Sequence, residues 1–356
     1  MPGRFHRAAA RYPALAGLLV CALAGFLFAE LRSPLPWLIG PLLAMAIFRF
    51  SGVPLGAPPA AGKIAQWCIG TTLGLYFTPV VARIVGSYWP VFVGAALFSL
   101  VVAWIGGLWL TRHTDTDRKT AFLASVPGGA QEMANIGDRY GGRVDRIALA
   151  QSLRILLVVI IVPFSLTFAG VHGADPYEGL RAPVVWSHLP WLYACTALGA
   201  AAMMLLRAPN AWVLGPLFVS IALTAHGVEW TSMPSGLTNL AQVLIGCNLG
   251  QRYDRSFVRA APRFVAMVCI SVLISLAISA LFAMLLAWLA RLPVATLILA
   301  TAPGGMAEMS LTAKVLALGV PVVTAAHVSR VVILVSTTGP LFGLLHRARR
   351  RGHGRA

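Results

Sequence analysis

Long apolar stretches separated by short polar ones set the pattern of this chain. In the first half they cover residues 14–31, 36–50, 64–84, 89–110 and 147–169, and in the second half 189–206, 211–225, 237–250, 264–290 and 320–345. A helix needs about 20 apolar residues to cross a bilayer. The stretches at 36–50, 211–225 and 237–250 are short for that, so their ends should be bent or shielded by neighbours. Gly40-Pro41 and Gly215-Pro216 fit kinks in two of them. The pattern predicts an all-α polytopic membrane protein.

Between the fourth and fifth stretches of each half lies a segment too interrupted for a straight helix. Leu-Ala-Ser-Val-Pro-Gly-Gly-Ala-Gln-Glu-Met, from Leu123 to Met133, returns 176 positions later as Leu-Ala-Thr-Ala-Pro-Gly-Gly-Met-Ala-Glu-Met, from Leu299 to Met309. The same offset relates Gln66, Gly70, Gly74, Arg83 and Arg154 to Gln242, Gly246, Gly250, Arg259 and Arg330. Trp37, Gly40 and Pro41 match Trp212, Gly215 and Pro216 one residue short of it. The chain is therefore a duplicated unit, with repeats over 1–175 and 176–356, of the kind that builds two-fold pseudo-symmetric membrane proteins. The expected fold is two inverted repeats of five transmembrane helices, each with a re-entrant Pro-Gly-Gly hairpin between its fourth and fifth helices.

Composition agrees with a membrane protein: 58% of residues are hydrophobic, 11% are charged, and mean hydropathy is +0.79. Soluble domains carry about a quarter charged residues. Arg4, Arg7 and Arg11 before an apolar run imitate a signal peptide, but no small-x-small cleavage site follows, and the run reads as an uncleaved first helix. Five cysteines stand alone in apolar segments at no metal or redox spacing, as lipid-facing or packing residues. The net charge of +17 and the basic tail from His346 to Arg355 could attract phosphates. Basic residues flanking membrane spans are the commoner cause, and no direct nucleic-acid partner is expected.

The basic residues also decide how the repeats face. Inverted repeats with both termini in the cytoplasm place 21 of the 28 arginines and lysines inside and five outside, with Arg154 and Arg330 within spans. Parallel repeats would place 15 inside and 11 outside. The inverted arrangement follows the positive-inside rule far better. The lipid bilayer expected around it is a bacterial inner membrane.

Two carboxylates, Glu132 and Glu308, fall at membrane depth, at the same place of the same motif. An ionisable group there costs roughly 3 kcal/mol or more and normally faces a cavity, a partner or a permeation path. Pro127-Gly128-Gly129 and Pro303-Gly304-Gly305 supply the hairpin turns, since proline interrupts the helical ladder and glycine permits close backbone approach. If short helices begin at Ala130 and Met306, each glutamate is a third helical residue that could cap its own helix start. A cap and a proton- or cation-binding role are compatible. Arg154 and Arg330 need partners in their spans, either the glutamates or the hairpin carbonyls, and a structural lock is weighed equally with binding of an anion. The halves differ: Gln131 and Asn135 become Ala307 and Leu311, Ser310 and Thr312 are added, and Gln151 becomes His327. A lone histidine in a span is more often a hydrogen-bonded packing residue than a proton relay. Scattered histidines and the lack of a phosphate-binding loop speak against a metalloenzyme or an ATP-driven machine.

With the paired Pro-Gly-Gly-x-x-Glu-Met motif and the segments Trp37 to Leu42 and Trp212 to Leu217, the sequence resembles the AbrB membrane family over essentially its whole length. Members have been labelled ammonia monooxygenases or regulators of gene expression. The wider superfamily resembled includes sodium-glutamate and citrate symporters, whose re-entrant Gly-Gly loops meet at the substrate site. The resemblance implies that Pro127, Gly128, Gly129, Pro303, Gly304 and Gly305 are loop tips. The symporter loops do not generally carry the glutamates, so the coupling ion does not transfer. The leading expectation is a secondary transporter of a small anionic metabolite, with no cofactor and with H+ or Na+ as coupling ion. Its substrate- and ion-binding candidates are the six tip residues with Gln131, Glu132, Asn135, Arg154, Glu308, Ser310, His327 and Arg330. A second copy of the chain is a compatible partner. A membrane-embedded regulator acting indirectly and a monooxygenase are the alternatives.

Overall fold

Every regular element in the computed structural model, which describes residues 11–173, 183–228, 230–253 and 261–353, is helical. The first half contains α1 (Arg11–Glu30), α2 (Pro36–Phe50), α3 (Ala61–Gly74), α4 (Pro79–Ser87), α5 (Trp89–His113), α6 (Arg118–Ser125), α7 (Ala130–Arg139) and α8 (Val144–Phe168). The second contains α9 (Leu189–Leu205), α10 (Ala211–Ala225), α11 (Ser235–Gly250), α12 (Pro262–Ala290), α13 (Val294–Thr301), α14 (Met306–Val315) and α15 (Val320–His353). Displaced by 176 positions, the bounds of α6 and α7 become those of α13 and α14, and the start of α8 becomes that of α15. The duplication therefore holds at the level of helix ends.

Five segments among the described residues are long and apolar enough to cross a membrane: Pro13–Glu30, Trp89–His113, Val144–Phe168, Trp186–Leu205 and Pro262–Ala290. A sixth is counted if α3 and α4 form one span. The apolar stretch at 64–84, read from sequence as continuous, is bent by 89° between these two helices. The cause is Pro79, which disfavours helical backbone at Thr78. Thr78 then starts α4, its carbonyl accepting from the Ala82 amide at 2.8 Å. The short stretches at 36–50 and 211–225 are helices of 15 residues that continue through Pro41 and Pro216.

The helices group into two compact units that draw on both repeats. The first takes residues 1–86, 159–260 and 310–321. Within it, α3 packs against α10 and α11 against α2, so each repeat lends a helix to the other. Small residues permit the approach. A Cβ on Gly70 or Gly74 would strike the carbonyls of Val213 or Leu217, and one on Gly246 or Gly250 those of Leu38 or Leu42. In lipid, where apolar contact with a neighbour gains nothing over contact with acyl chains, such close packing is a main source of helix association. Trp67 adds a hydrogen bond from its Nε1 to Thr196 Oγ1 at 2.9 Å.

The second unit takes residues 87–158, 261–309 and 322–356. Helices α5 and α12 pack side by side, Phe98 stacking on Phe282 with centroids 3.7 Å apart. The first short helix of each Pro-Gly-Gly segment lies on one of them, α6 on α5 and α13 on α12. Thr301 on α13 donates to the Ser279 carbonyl of α12 at 3.1 Å. Leu123, Val126, Met133, Ile147, Ala103 and Leu334 form a buried cluster, fixing the first Pro-Gly-Gly segment against α5, α8 and α15.

Candidate functional site

Each Pro-Gly-Gly segment joins an eight-residue helix to a ten-residue one, and the motif's residues divide the work of holding that turn. Proline stops the first helix, leaving carbonyls near its end without helical N–H partners. Water could satisfy them at a protein surface. Where water is excluded, the protein must supply donors itself.

Arg154 and Arg330 supply them. Arg154 donates from Nη1 to the Val126 carbonyl at 2.6 Å and from Nη2 to the Gly128 carbonyl at 3.2 Å. Arg330 repeats this one period later, from Nη1 to Ala302 at 2.6 Å and from Nη2 to Gly304. Of the two partner sets open from sequence, the carbonyls beside the Pro-Gly-Gly turns are thus engaged in both halves. One turn earlier, Gln151 Nε2 donates to Leu123 at 2.8 Å and Val126 at 2.9 Å. His327 Nε2 faces Leu299 at 2.9 Å, an acceptor, so this nitrogen carries the hydrogen. Donors at the C-terminal end of a helix also complement its dipole.

The second half of the motif is equally regular. A Cβ on Gly129 would collide with the Glu132 carboxylate, and one on Gly305 with that of Glu308. Each glutamate therefore folds back over the glycine that starts its helix, the posture of an N-terminal cap. Met133 and Met309, both fully buried, lie over Gly128 and Gly304 in the same way. Pro-Gly-Gly-x-x-Glu-Met is thus a helix stop, two bare backbone positions, and the two side chains that cover them.

The halves diverge in exposure and charge. Arg154, Arg330 and Glu308 are 5%, 4% and 8% exposed, whereas Glu132 is half-buried. Glu308 acts electrostatically on both guanidinium groups, which also act on each other. Asn135 is exposed, Ser310 and Thr312 are buried, and the Gln131 side chain lies outside the described residues. At the loop entrance to α6, burial opposes the charged form of the Asp117 carboxyl. Hydrogen bonds from Thr120 and neighbouring backbone amides outweigh it and hold the group below the usual range. Asp117 accepts from the Thr120 amide at 3.1 Å, capping α6.

Pro127 and Pro303 line one cleft within the second unit, together with Arg154 and the hydroxyl-bearing Ser125, Ser271 and Ser275. The three serines carry no signal in sequence, since isolated serines in apolar helices usually bond back to their own backbone. Among the described residues, the buried Nε of both arginines, Gln151 Oε1 and His327 Nδ1 have no hydrogen-bond partner.

A duplicated, all-helical protein with membrane-length helices and two arginine-held Pro-Gly-Gly turns is the class these features define. The chain belongs to the AbrB family, whose model, described as "Transition state regulatory protein AbrB", matches residues 37–346. It is similar to "Uncharacterized protein YhjN" of Bacillus subtilis (strain 168), 27% identical over 359 residues covering 92% of each chain. It is likewise similar to "Putative regulator AbrB" of Escherichia coli (strain K12), 26% identical over 313 residues covering 85% of this chain and 88% of that one. Neither relative bears an enzyme's name.

Proposed function

We propose that the protein is a secondary transporter of a small anionic metabolite in the bacterial inner membrane. In this reading the two repeats are inverted, both termini are cytoplasmic, and the Pro-Gly-Gly segments are re-entrant hairpins entering from opposite faces. The observation that carries it is the convergence of Pro127, Pro303 and buried Arg154 on one cleft. A guanidinium already anchored to backbone carbonyls keeps N–H groups in a fixed orientation for an anion. Non-helical backbone at this depth is tolerated where it is buried in protein or lines a cavity, and such turns are where transporters bind substrate.

Alternating access would open the cleft to one side and then the other, with H+ or Na+ carried at Glu132 or Glu308. Purified protein in proteoliposomes should accumulate a labelled small organic anion when a proton or sodium gradient is imposed, and lose this on Arg154→Ala. No gradient-driven uptake across a panel of such anions would refute the reading. A second reading, a membrane-embedded regulator acting indirectly on gene expression, is favoured by the name of the Escherichia coli relative. It predicts altered transcript levels on deletion that a transport-dead but folded variant restores to normal.

A further inference from the structure

The cleft has a chemistry more specific than affinity for anions. Ser125 and Ser275 spend their hydroxyl hydrogens on the Ala121 and Ser271 carbonyls, at 2.9 and 2.8 Å. Their oxygens therefore remain as acceptors, suited to a ligand that donates a hydrogen bond. Gly106 on α5 lets two of the hydroxyls converge: a Cβ there would lie 3.0 Å from Ser271 Oγ and 3.1 Å from Ser125 Oγ. The cleft is correspondingly narrow. On its other side Arg154 has both terminal nitrogens on turn carbonyls, while its buried Nε has no hydrogen-bond partner among the described residues.

The charges nearby are unequal. Arg154 and Arg330 bring two positive charges and Glu308 one negative, all three at least nine-tenths buried and acting on one another. Glu132 is half-buried and turned over Gly129, and His327 hydrogen-bonds to a carbonyl. Unbalanced charge in a low-dielectric interior is costly, so a ligand of charge −1 leaves the cluster neutral, whereas a dianion reverses the imbalance.

We propose that the cleft binds a short monocarboxylate carrying a hydroxyl group, the carboxylate on Arg154 and the hydroxyl donating to Ser125 or Ser275. This rests on the transport reading for the fate of the ligand, and on the cleft alone for its binding. The test uses the full-length protein in detergent, with the thermal midpoint and calorimetric affinity read for glycolate, lactate, propionate, succinate and citrate at fixed ionic strength. Glycolate and lactate should stabilise the protein and bind about tenfold more tightly than propionate, a discrimination of about 1.4 kcal/mol. Succinate and citrate should do no more than chloride.

The double variant Ser125→Ala, Ser275→Ala should keep its unliganded midpoint and bind lactate no better than propionate. Tighter binding of the dianions, equal binding of lactate and propionate by the unaltered protein, or no binding of any monocarboxylate would overturn the proposal. Lactate that binds with this selectivity but is not moved in proteoliposomes leaves the site standing and sinks the transport reading. Uptake of a dianion in preference does the reverse.

Discussion

Gln151 and His327 occupy equivalent positions in the two repeats and do the same thing, each placing a side-chain N–H on the carbonyl of the equivalent leucine, Leu123 or Leu299. One is titratable and the other is not, yet the contact is shared. If that contact is what the position is for, His327 fastens its Pro-Gly-Gly turn and carries no proton.

His327→Gln should therefore fold with a thermal midpoint close to that of the parent and retain the pH dependence of uptake. His327→Leu leaves a carbonyl without its donor and should lose about 1–3 kcal/mol of stability. Loss of pH dependence in a folded His327→Gln protein would return the histidine to the relay role.

Arg154→Lys and Arg330→Lys should each be destabilising. A lysine ammonium is a point charge and cannot span two backbone carbonyls as the planar guanidinium does. At least one of Val126 or Gly128, or one of Ala302 or Gly304, then lies unpaired, at about 1–3 kcal/mol each. Thermal unfolding in detergent reads this directly, and an unchanged midpoint for both variants would show that the carbonyls find other donors.

The repeated motif, the membrane class and the buried arginines were all legible in the sequence because duplication doubles the signal. Two copies of Pro-Gly-Gly-x-x-Glu-Met at one fixed offset separate the motif from background hydrophobicity. The partners of Arg154 were legible only as a choice between the glutamates and the carbonyls beside the Pro-Gly-Gly turn, since a backbone carbonyl leaves no mark in sequence that would decide it. The break at Thr78-Pro79 was not legible, because hydropathy does not register a change of direction within an apolar run. Ser125, Ser271 and Ser275 were invisible for another reason: they come together only when α6 is laid on α5 beside α12.

Glu132→Gln and Glu308→Gln should both remain folded. Glutamine preserves the reach over Gly129 or Gly305 and removes only the charge, so a cap role loses about 1 kcal/mol or less. A role in ion coupling does not survive the change. Flux through the folded Glu308→Gln protein should lose its dependence on the proton or sodium gradient, because Glu308 is the buried carboxylate that acts on both arginines. Unchanged gradient dependence in both variants would make the carboxylates caps alone.

Asp117 gives a prediction of acid sensitivity. Its folded-state carboxyl titrates below the usual aspartate value of about 3.9. Its contribution is therefore fully present above that value and is lost as pH falls through the lower, folded one. Asp117→Ala should lower stability at neutral pH by about 0.5–2 kcal/mol, the usual worth of a helix cap. The difference from the parent should shrink toward zero in strong acid. A gap that stays constant with pH would assign the loss to packing instead.

Arg139 and Val315 end the second short helix of each Pro-Gly-Gly segment, 176 positions apart, and both are exposed. In a background lacking the five native cysteines, Arg139→Cys and Val315→Cys would be treated with a membrane-impermeant maleimide in intact cells and in inverted vesicles. Inverted repeats with facing hairpins predict that the thiol at position 139 reacts from the cytoplasmic side alone and the thiol at position 315 from the opposite side alone. Reaction of both from the same side would contradict the inverted arrangement and, with it, the cleft between opposed hairpins as an alternating-access site.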